Sequence, residues 1–317
     1  ALARRGLFLG RLILFICTNC RKVVYPSKKP NIKNVIVSII RCSNVPLTAN
    51  IEQPVLQRAR GAVDLVVKAG KLERFYQSGS AKIFLPKTYA PTIEAVLVNT
   101  AGGLTGGDEF GVRLGAEGDT HLTVSTQTAE RVYRALGPQN AEMRVNMTVT
   151  GAATLHWLPQ ETILFDGARF ARNLDVKMDE GASFLASEMM VFGRTAMQET
   201  LRQGSVRDHW RIWSGGRLIH AEAFRLDGEI FQKLHQKASA AGNVCFATTL
   251  YVSRDAEAKA DAVREFFNRF ADVQTAVSAW QGKLVIRSLC NDTARLKKLL
   301  AQFIEQFRQI ANPRVWN

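Results

Sequence analysis

Five carboxylates stand where a charge needs a reason. Asp108 closes the glycine-rich run Asn99-Thr-Ala-Gly-Gly-Leu-Thr-Gly-Gly-Asp108. Glu161 and Asp166 lie in Trp157-Leu-Pro-Gln-Glu-Thr-Ile-Leu-Phe-Asp-Gly-Ala-Arg169, and Glu188 and Glu222 each interrupt an otherwise apolar strand-like segment. A carboxylate among apolar groups is destabilising unless it is paired or bound to a metal. For Glu161 and Asp166 the plain expectation is an ion pair with Arg169 or Arg172. The glycines permit positive φ and close backbone approach. They fit an anion nest, a tight strand-to-strand crossing, or a gap that leaves room for a buried Asp108 beside a channel. No lysine follows them and no helix start is evident, which disfavours phosphate.

Other chemistry is harder to find. There is no Gly-x-Ser-x-Gly nucleophile elbow, no His-Glu-x-x-His and no Walker lysine motif. His121, His156, His209, His220 and His235 show no metal-ligand spacing on a recognisable element. His156 and His220 fall within alternating strands, where a structurally satisfied imidazole is the simpler reading. Cys17-Thr-Asn-Cys20 has zinc-knuckle spacing, but only Cys42 is near and four ligands are needed. Cys245 and Cys290 complete an odd set of five, which is no disulfide framework and fits a reducing compartment.

The elements that must position these groups are mainly β. Val112-Arg-Leu114, His121-Leu-Thr-Val-Ser125, Met143-Arg-Val-Asn-Met-Thr-Val149, Thr154-Leu-His-Trp157 and Leu174-Asp-Val-Lys-Met178 alternate with period two, as do 210–213 and 218–226. Gly118, Gly151 and Gly181 each precede a strand, at intervals of 33 and 30 residues. That recurrence predicts stacked β layers resembling a β-helix or solenoid, with a hairpin-built sandwich as the other solution. The last third predicts a strand at 245–252, a helix at 255–270 and strands at 275–279 and 283–289. A second helix then starts at Asn291-Asp-Thr with the stripe Leu296, Leu299, Leu300, Phe303, Ile304 and Phe307. This small α+β block, 245–311, packs on the β body within a single domain spanning 51–317.

The chain has 317 residues and a net charge of +14, which would suggest nucleic acid or an anionic membrane. The charge is concentrated, however. Residues 1–50 hold nine of the 42 basic side chains and none of the 28 acidic ones, so the remainder carries 33 against 28. Residues 7–17 are apolar apart from Arg11 and too short for a bilayer, which needs about 20 residues. Residues 1–50 are expected to lie outside the functional fold, and neither nucleic acid nor membrane is an expected partner.

Six segments in register resemble the urease accessory protein family UreD, called UreH in some organisms. They are Ala101-Gly-Gly-Leu-Thr-Gly-Gly-Asp108, Ser125-Thr-Gln-Thr-Ala-Glu-Arg-Val-Tyr-Arg134, Leu158-Pro-Gln-Glu-Thr-Ile-Leu-Phe-Asp-Gly-Ala168, Val191-Phe-Gly-Arg-Thr-Ala-Met-Gln-Glu199, Leu226-Asp-Gly228 and Asn312-Pro-Arg-Val-Trp316. The resemblance implies a non-enzymatic cytoplasmic protein that binds the urease apoprotein and, with UreF, recruits the GTPase UreG. It allows a homodimer within that complex. It also implies that Ni2+ passes in transit through the β fold, with no tightly bound cofactor, and it places the family's interior acidic residues on Asp108, Glu188 and Glu222. Scattered oxygen ligands suit such transit, since a His/Cys cage would trap the metal. A β-solenoid hydrolase or carbohydrate-active protein is the alternative, and it would need a carboxylate pair such as Glu161 and Asp166.

Overall fold

The computed structural model describes residues 57–316 apart from 89–91 and 195–196. The expectations for residues 1–50, including the Cys17/Cys20/Cys42 spacing, lie outside the described residues.

The chain winds between two sheets. Sheet A takes β1 (Arg60–Lys68), β2 (Lys71–Gly79), β5 (Glu109–Glu117), β8 (Ala141–Val149), β11 (Arg169–Met178), β13 (Gln203–Ser214) and β14 (Arg217–Glu229). Sheet B takes β3 (Ala81–Phe84), β4 (Ile93–Asn99), β6 (His121–Thr126), β9 (Thr154–Leu158), β12 (Ser183–Phe192), β15 (Cys245–Val252), β17 (Lys283–Cys290) and β16 (Gln274–Trp280). Neighbours β1, β5, β8, β11 and β13 run parallel, as do β4, β6, β9 and β12. A short third ladder joins β7 (Glu130–Val132) to β10 (Thr162–Leu164) and the end of β12. The result is the expected solenoid-like stack. Glu109 faces Glu142, which faces Ala171, which faces Arg207, so one coil takes about thirty residues.

The glycine recurrence has a steric cause. Gly151 adopts φ +70°, and a Cβ there would come within 3.2 Å of Gly118 Cα and O; a Cβ on Gly181 would meet Gly151 O at 3.1 Å. Successive coils therefore turn at the same place with backbone against backbone, and side chains would hold them apart.

Alternation along sheet A sends one face inward, as in β8 with Met143, Val145, Met147 and Val149 buried. In sheet B, β12 is buried on both faces. Phe184, Ala186 and Met190 join the core between the sheets, whereas Leu185, Met189 and Val191 pack beneath the helices. Two-sided burial explains why 183–192 and 245–252 read as continuous apolar runs. The covering helices are α2 (Ala260–Asn268) and α3 (Thr293–Arg308). They bring Phe266, Phe267, Leu299 and Phe303 onto sheet B, whose strands β15, β17 and β16 continue from β12.

The helix expected at 255–270 is shorter. A turn closed by Ala256 N donating to Ser253 O comes first, residues Glu257–Lys259 are 3-10, and α hydrogen bonding begins only at Ala260. The short α1 (Ile230–His235) had no periodic signal to reveal it. Asp292 caps α3, accepting from Arg295 N at 3.0 Å, as its position before the apolar stripe implied.

Gly151→Ala adds a strained positive φ and a contact with Gly118, and is expected to lower stability by about 1–3 kcal/mol, read from urea unfolding. An unchanged midpoint would remove the packing argument.

Candidate functional site

The glycine-rich run is the crossing from β4 to β5. Leu104 N donates to Arg131 O at 2.7 Å and Tyr133 N to Leu104 O at 2.8 Å, so the run lies against β7. A Cβ at Gly103 would sit 2.3 Å from the Tyr133 ring and 2.7 Å from Arg131 O, and such overlap leaves no room for a side chain. Asp108 is buried, but its two oxygens are committed: one accepts from Ala59 N and the other from Thr105 N, each at 2.8 Å. It fastens the loop to the entry of β1.

Glu161 and Asp166 do not pair with Arg169 or Arg172. Alternation in β11 turns Arg169 outward, where Nε donates to Pro138 O, and Arg172 inward. Glu161 instead meets Lys297 of α3 at 2.9 Å. Asp166 meets Arg134 at 2.6 Å and accepts from Arg202 N and Gln203 N. Burial opposes ionisation of Asp166, but the two backbone donors and Arg134 hold its carboxyl below the ordinary range. The two carboxylates have separate partners and share no contact.

The strongest electrostatic feature lies between the sheets. Arg172 of β11 forks onto Asp208 of β13, Nε to Oδ1 at 2.9 Å and Nη2 to Oδ2 at 2.6 Å, while Nη1 reaches Glu188 of β12 in the opposite sheet. Trp157 Nε1 donates to Glu188 at 2.5 Å, and Trp210 Nε1 lies 3.2 Å from both Asp208 oxygens. All three charged side chains are less than one-tenth exposed. Burial alone would lower the guanidinium, but Asp208 and Glu188 outweigh it and keep Arg172 charged. Two carboxylates share one cation. Burial, and then the nearby Asp208 charge, push Glu188 upward despite its contact with Arg172. Asp208 itself was not among the residues that sequence reasoning selected. Its neighbours Arg207 and His209 are also polar, so only the period-two pattern separates it as inward-facing.

A cavity of about 60 Å³ reaches this cluster from the surface. Gly102, Gln127 and Thr128 are exposed at its rim, Asn99 and Glu130 line its wall, and Phe110, Met143, Trp157 and Arg172 lie deeper. Glu130 accepts from Asn99 Nδ2 at 3.1 Å. Burial pushes its carboxyl up to about 7. Sequence reading quoted Glu130 only inside a longer motif; a lone acidic residue in a three-residue strand carries no periodic signal. The cavity wall combines the glycine run, the 125–134 segment and the 157–168 segment, which are far apart in sequence.

Glu222 sits elsewhere, facing β17. Arg287 Nη2 lies 3.1 Å from Oε2 and Nε lies 3.3 Å from Oε1, while His220 Nε2 is 3.7 Å from Oε2. Burial opposes its ionisation, but His220 and Arg287 hold the carboxyl below the usual range. Asp108, Glu188 and Glu222 thus occupy three separate settings. Among the described residues, no three His, Cys, Asp or Glu side chains converge as a metal cage. Glu188 and Glu222 are nevertheless joined by register, because Glu188 faces Thr248 on β15, Thr248 faces Arg287 on β17, and Arg287 holds Glu222. His156, on the outer side of sheet B, is satisfied by His121 at 3.2 Å and Arg308 at 3.0 Å.

The family model for the UreD urease accessory protein matches residues 58–317, spanning all of these features. The chain belongs to the UreD family. Among curated relatives, the urease accessory protein UreD of Agrobacterium fabrum is 43% identical over 272 residues, covering 84% of this chain and 94% of that protein. That of Azorhizobium caulinodans is 41% identical over 267 residues, covering 83% and 98%. That of Rhizobium rhizogenes is 43% identical over 266 residues, covering 82% and 96%. The family is an accessory one. No helix among the described residues is long and apolar enough to cross a membrane.

Two outcomes follow from the buried charges in this UreD-family chain. Arg172→Ala orphans two carboxylates and is expected to lower stability by about 3–5 kcal/mol. The loss should be greater at pH 8 than at pH 5 in urea unfolding, because acid neutralises an orphaned carboxylate. Between about pH 4.5 and 7, folded Glu130 keeps a proton that the unfolded chain has lost, so its contribution to stability falls as pH rises through that window. Glu130→Gln should flatten the stability–pH curve there; an unaltered slope would disprove the assignment.

Proposed function

We propose that this chain serves urease maturation as both scaffold and conduit. It binds the urease apoprotein together with the accessory proteins UreF and UreG, the latter a GTPase, in the cytoplasm. It guides Ni2+ between its two sheets toward the urease active site. Two copies of the chain meet within that assembly. Ni2+ is cargo here, and no resident cofactor is required.

The observation that supports this reading most directly is the cavity that runs from a polar rim past Glu130 to Trp157 and Arg172, the two side chains that hold Glu188. In this reading Asp108 fixes the glycine loop that forms one wall, Glu130 stands at the entrance, and Glu188 lies behind Arg172 and Trp157. Glu222 lies beyond the far end of the register row Glu188, Thr248 and Arg287, in contact with Arg287. Carboxylates spaced singly along a path bind a divalent ion weakly enough to pass it on, whereas three or four converging imidazoles or thiolates would retain it. His220 and Arg287 hold the Glu222 carboxyl below the usual range, whereas burial pushes Glu188 upward and Arg172 offsets only part of that.

The test is co-expression of the full chain with a urease gene set that lacks it, reading urease activity, nickel content and co-purification. Glu188→Gln and Glu222→Gln are each expected to lower activity and nickel content tenfold or more while the complex still co-purifies. Normal nickel loading in the double variant would remove the conduit and leave the scaffold. Failure of the unaltered chain to co-purify or to restore activity would remove both.

A further inference from the structure

Sheet A ends on β2, which pairs with β1 alone among the described strands. Its outer edge carries a row of backbone N–H and C=O groups that no described strand takes up. Natural sheets blunt such an edge with proline, charge or a covering element. Here three large side chains stand on it: Leu72 is 51% exposed, Phe75 44% and Tyr76 55%. Two of them belong to the core side. Residues directly opposite in an antiparallel pair share a face, and Phe75 lies opposite Leu65 while Leu72 lies opposite Val67. Leu65 and Val67 are buried between the sheets. The apolar layer thus runs out through this end of the stack, and a solenoid end of that kind needs a cap.

We propose that the cap is a second copy of this chain, joined by antiparallel pairing of β2 with β2 about a two-fold axis at Phe75. Such an interface is self-complementary, so one contact closes both open ends. The strand's charges select this register. With the axis at Phe75, that ring meets its own copy, Arg74 falls opposite Tyr76 twice over, Glu73 falls opposite Gln77, and Lys71 falls opposite Gly79. An aromatic pair and two cation–aromatic contacts result, and no like charges face each other. An axis at Glu73 or at Arg74 would set two carboxylates or two guanidiniums directly opposite, which is destabilising. Gln77 is prepared for its role: its Oε1 accepts from Ile83 N at 2.9 Å, which leaves the amide nitrogen to donate to Glu73 of the second copy. Asp64, opposite Tyr76 on β1, lies 3.4 Å from Arg74 and steers the guanidinium along the outer face. The surface would supply the contact between copies that the proposed assembly contains, but it is argued from β2 alone and tested without urease.

The experiment is sedimentation velocity of the full chain over a hundredfold range of concentration, with hydrogen exchange read at both extremes. A concentration-dependent dimer is expected, with the β2 amides exchanging more slowly at the high end. Phe75→Lys sets two ammonium groups face to face on the axis and should weaken the dimer a hundredfold or more. Arg74→Glu, which loses both contacts with Tyr76, should weaken it tenfold or more. Both side chains are exposed, so the urea midpoint should stay near that of the unaltered chain, which separates lost pairing from lost folding. Trp280→Lys, at an exposed aromatic on the edge strand β16 of the other sheet, should leave the dimer intact. A monomer across the whole range, or a dimer that survives Phe75→Lys in a folded protein, would overturn the proposal. So would equal loss in Trp280→Lys, or β2 amides already protected in a monomer, since the edge would then be covered from within one chain. Failure of the urease assay with the dimer intact would instead overturn the maturation reading and leave this surface standing.

Discussion

The contact of one guanidinium with two carboxylates across the inter-sheet space sets the conditions for the rest of the molecule. Arg172 and Asp208 belong to sheet A and Glu188 to sheet B, so the cluster ties the two walls of the solenoid where they are otherwise apolar. A charge group of this kind adds little net stability over well-packed hydrophobic residues, but breaking it is severe. Its presence therefore demands that the surrounding strands hold register. The fork onto Asp208 requires Arg172 and Asp208 to be register partners, as they are. The two tryptophan donors also have to reach inward from β9 and β13.

Coil stacking supplies that accuracy. Parallel neighbours repeat the same turn, and the glycine-to-glycine contacts between coils leave little freedom in how one layer sits on the next. Sheet B is further constrained by the helices on its outer side, where α2 and α3 place an aromatic layer of Phe266, Phe267 and Phe303. The interior is thus shaped from both sides, and its polar groups sit in a frame that packing has already fixed.

Much of this was legible in the sequence. Period-two runs located the strands of the central coils, and the spacing of Gly118, Gly151 and Gly181 indicated stacking because those turns meet directly. The stripe from Leu296 to Ile304 gave α3, and Asp292 its start. What stayed hidden were relations between distant segments. Arg172 was read as a neighbour of Asp166 because sequence proximity was the available guide, yet strand alternation turns it the opposite way. Asp208 and Glu130 were overlooked for a related reason: one sits in a polar-looking strand and the other in a strand too short to show a period. Glu188 was recognisable because a lone charge in an apolar run is conspicuous wherever the chain later places it.

The two-faced burial of β12 has a further consequence. Its odd-numbered members Leu185, Met189 and Val191 meet the helices, and its even-numbered members Phe184, Ala186, Glu188 and Met190 face inward. A slip of one residue would exchange these sets and thrust the Glu188 carboxylate into the aromatic layer, while the fork on Arg172 lost a partner. Misregistered forms of this strand are thereby penalised twice, once by hydrophobic mismatch and once by stranded charge. The single carboxylate in that run acts as an alignment mark, rejecting pairings that an all-apolar strand, greasy on both sides, would tolerate during assembly.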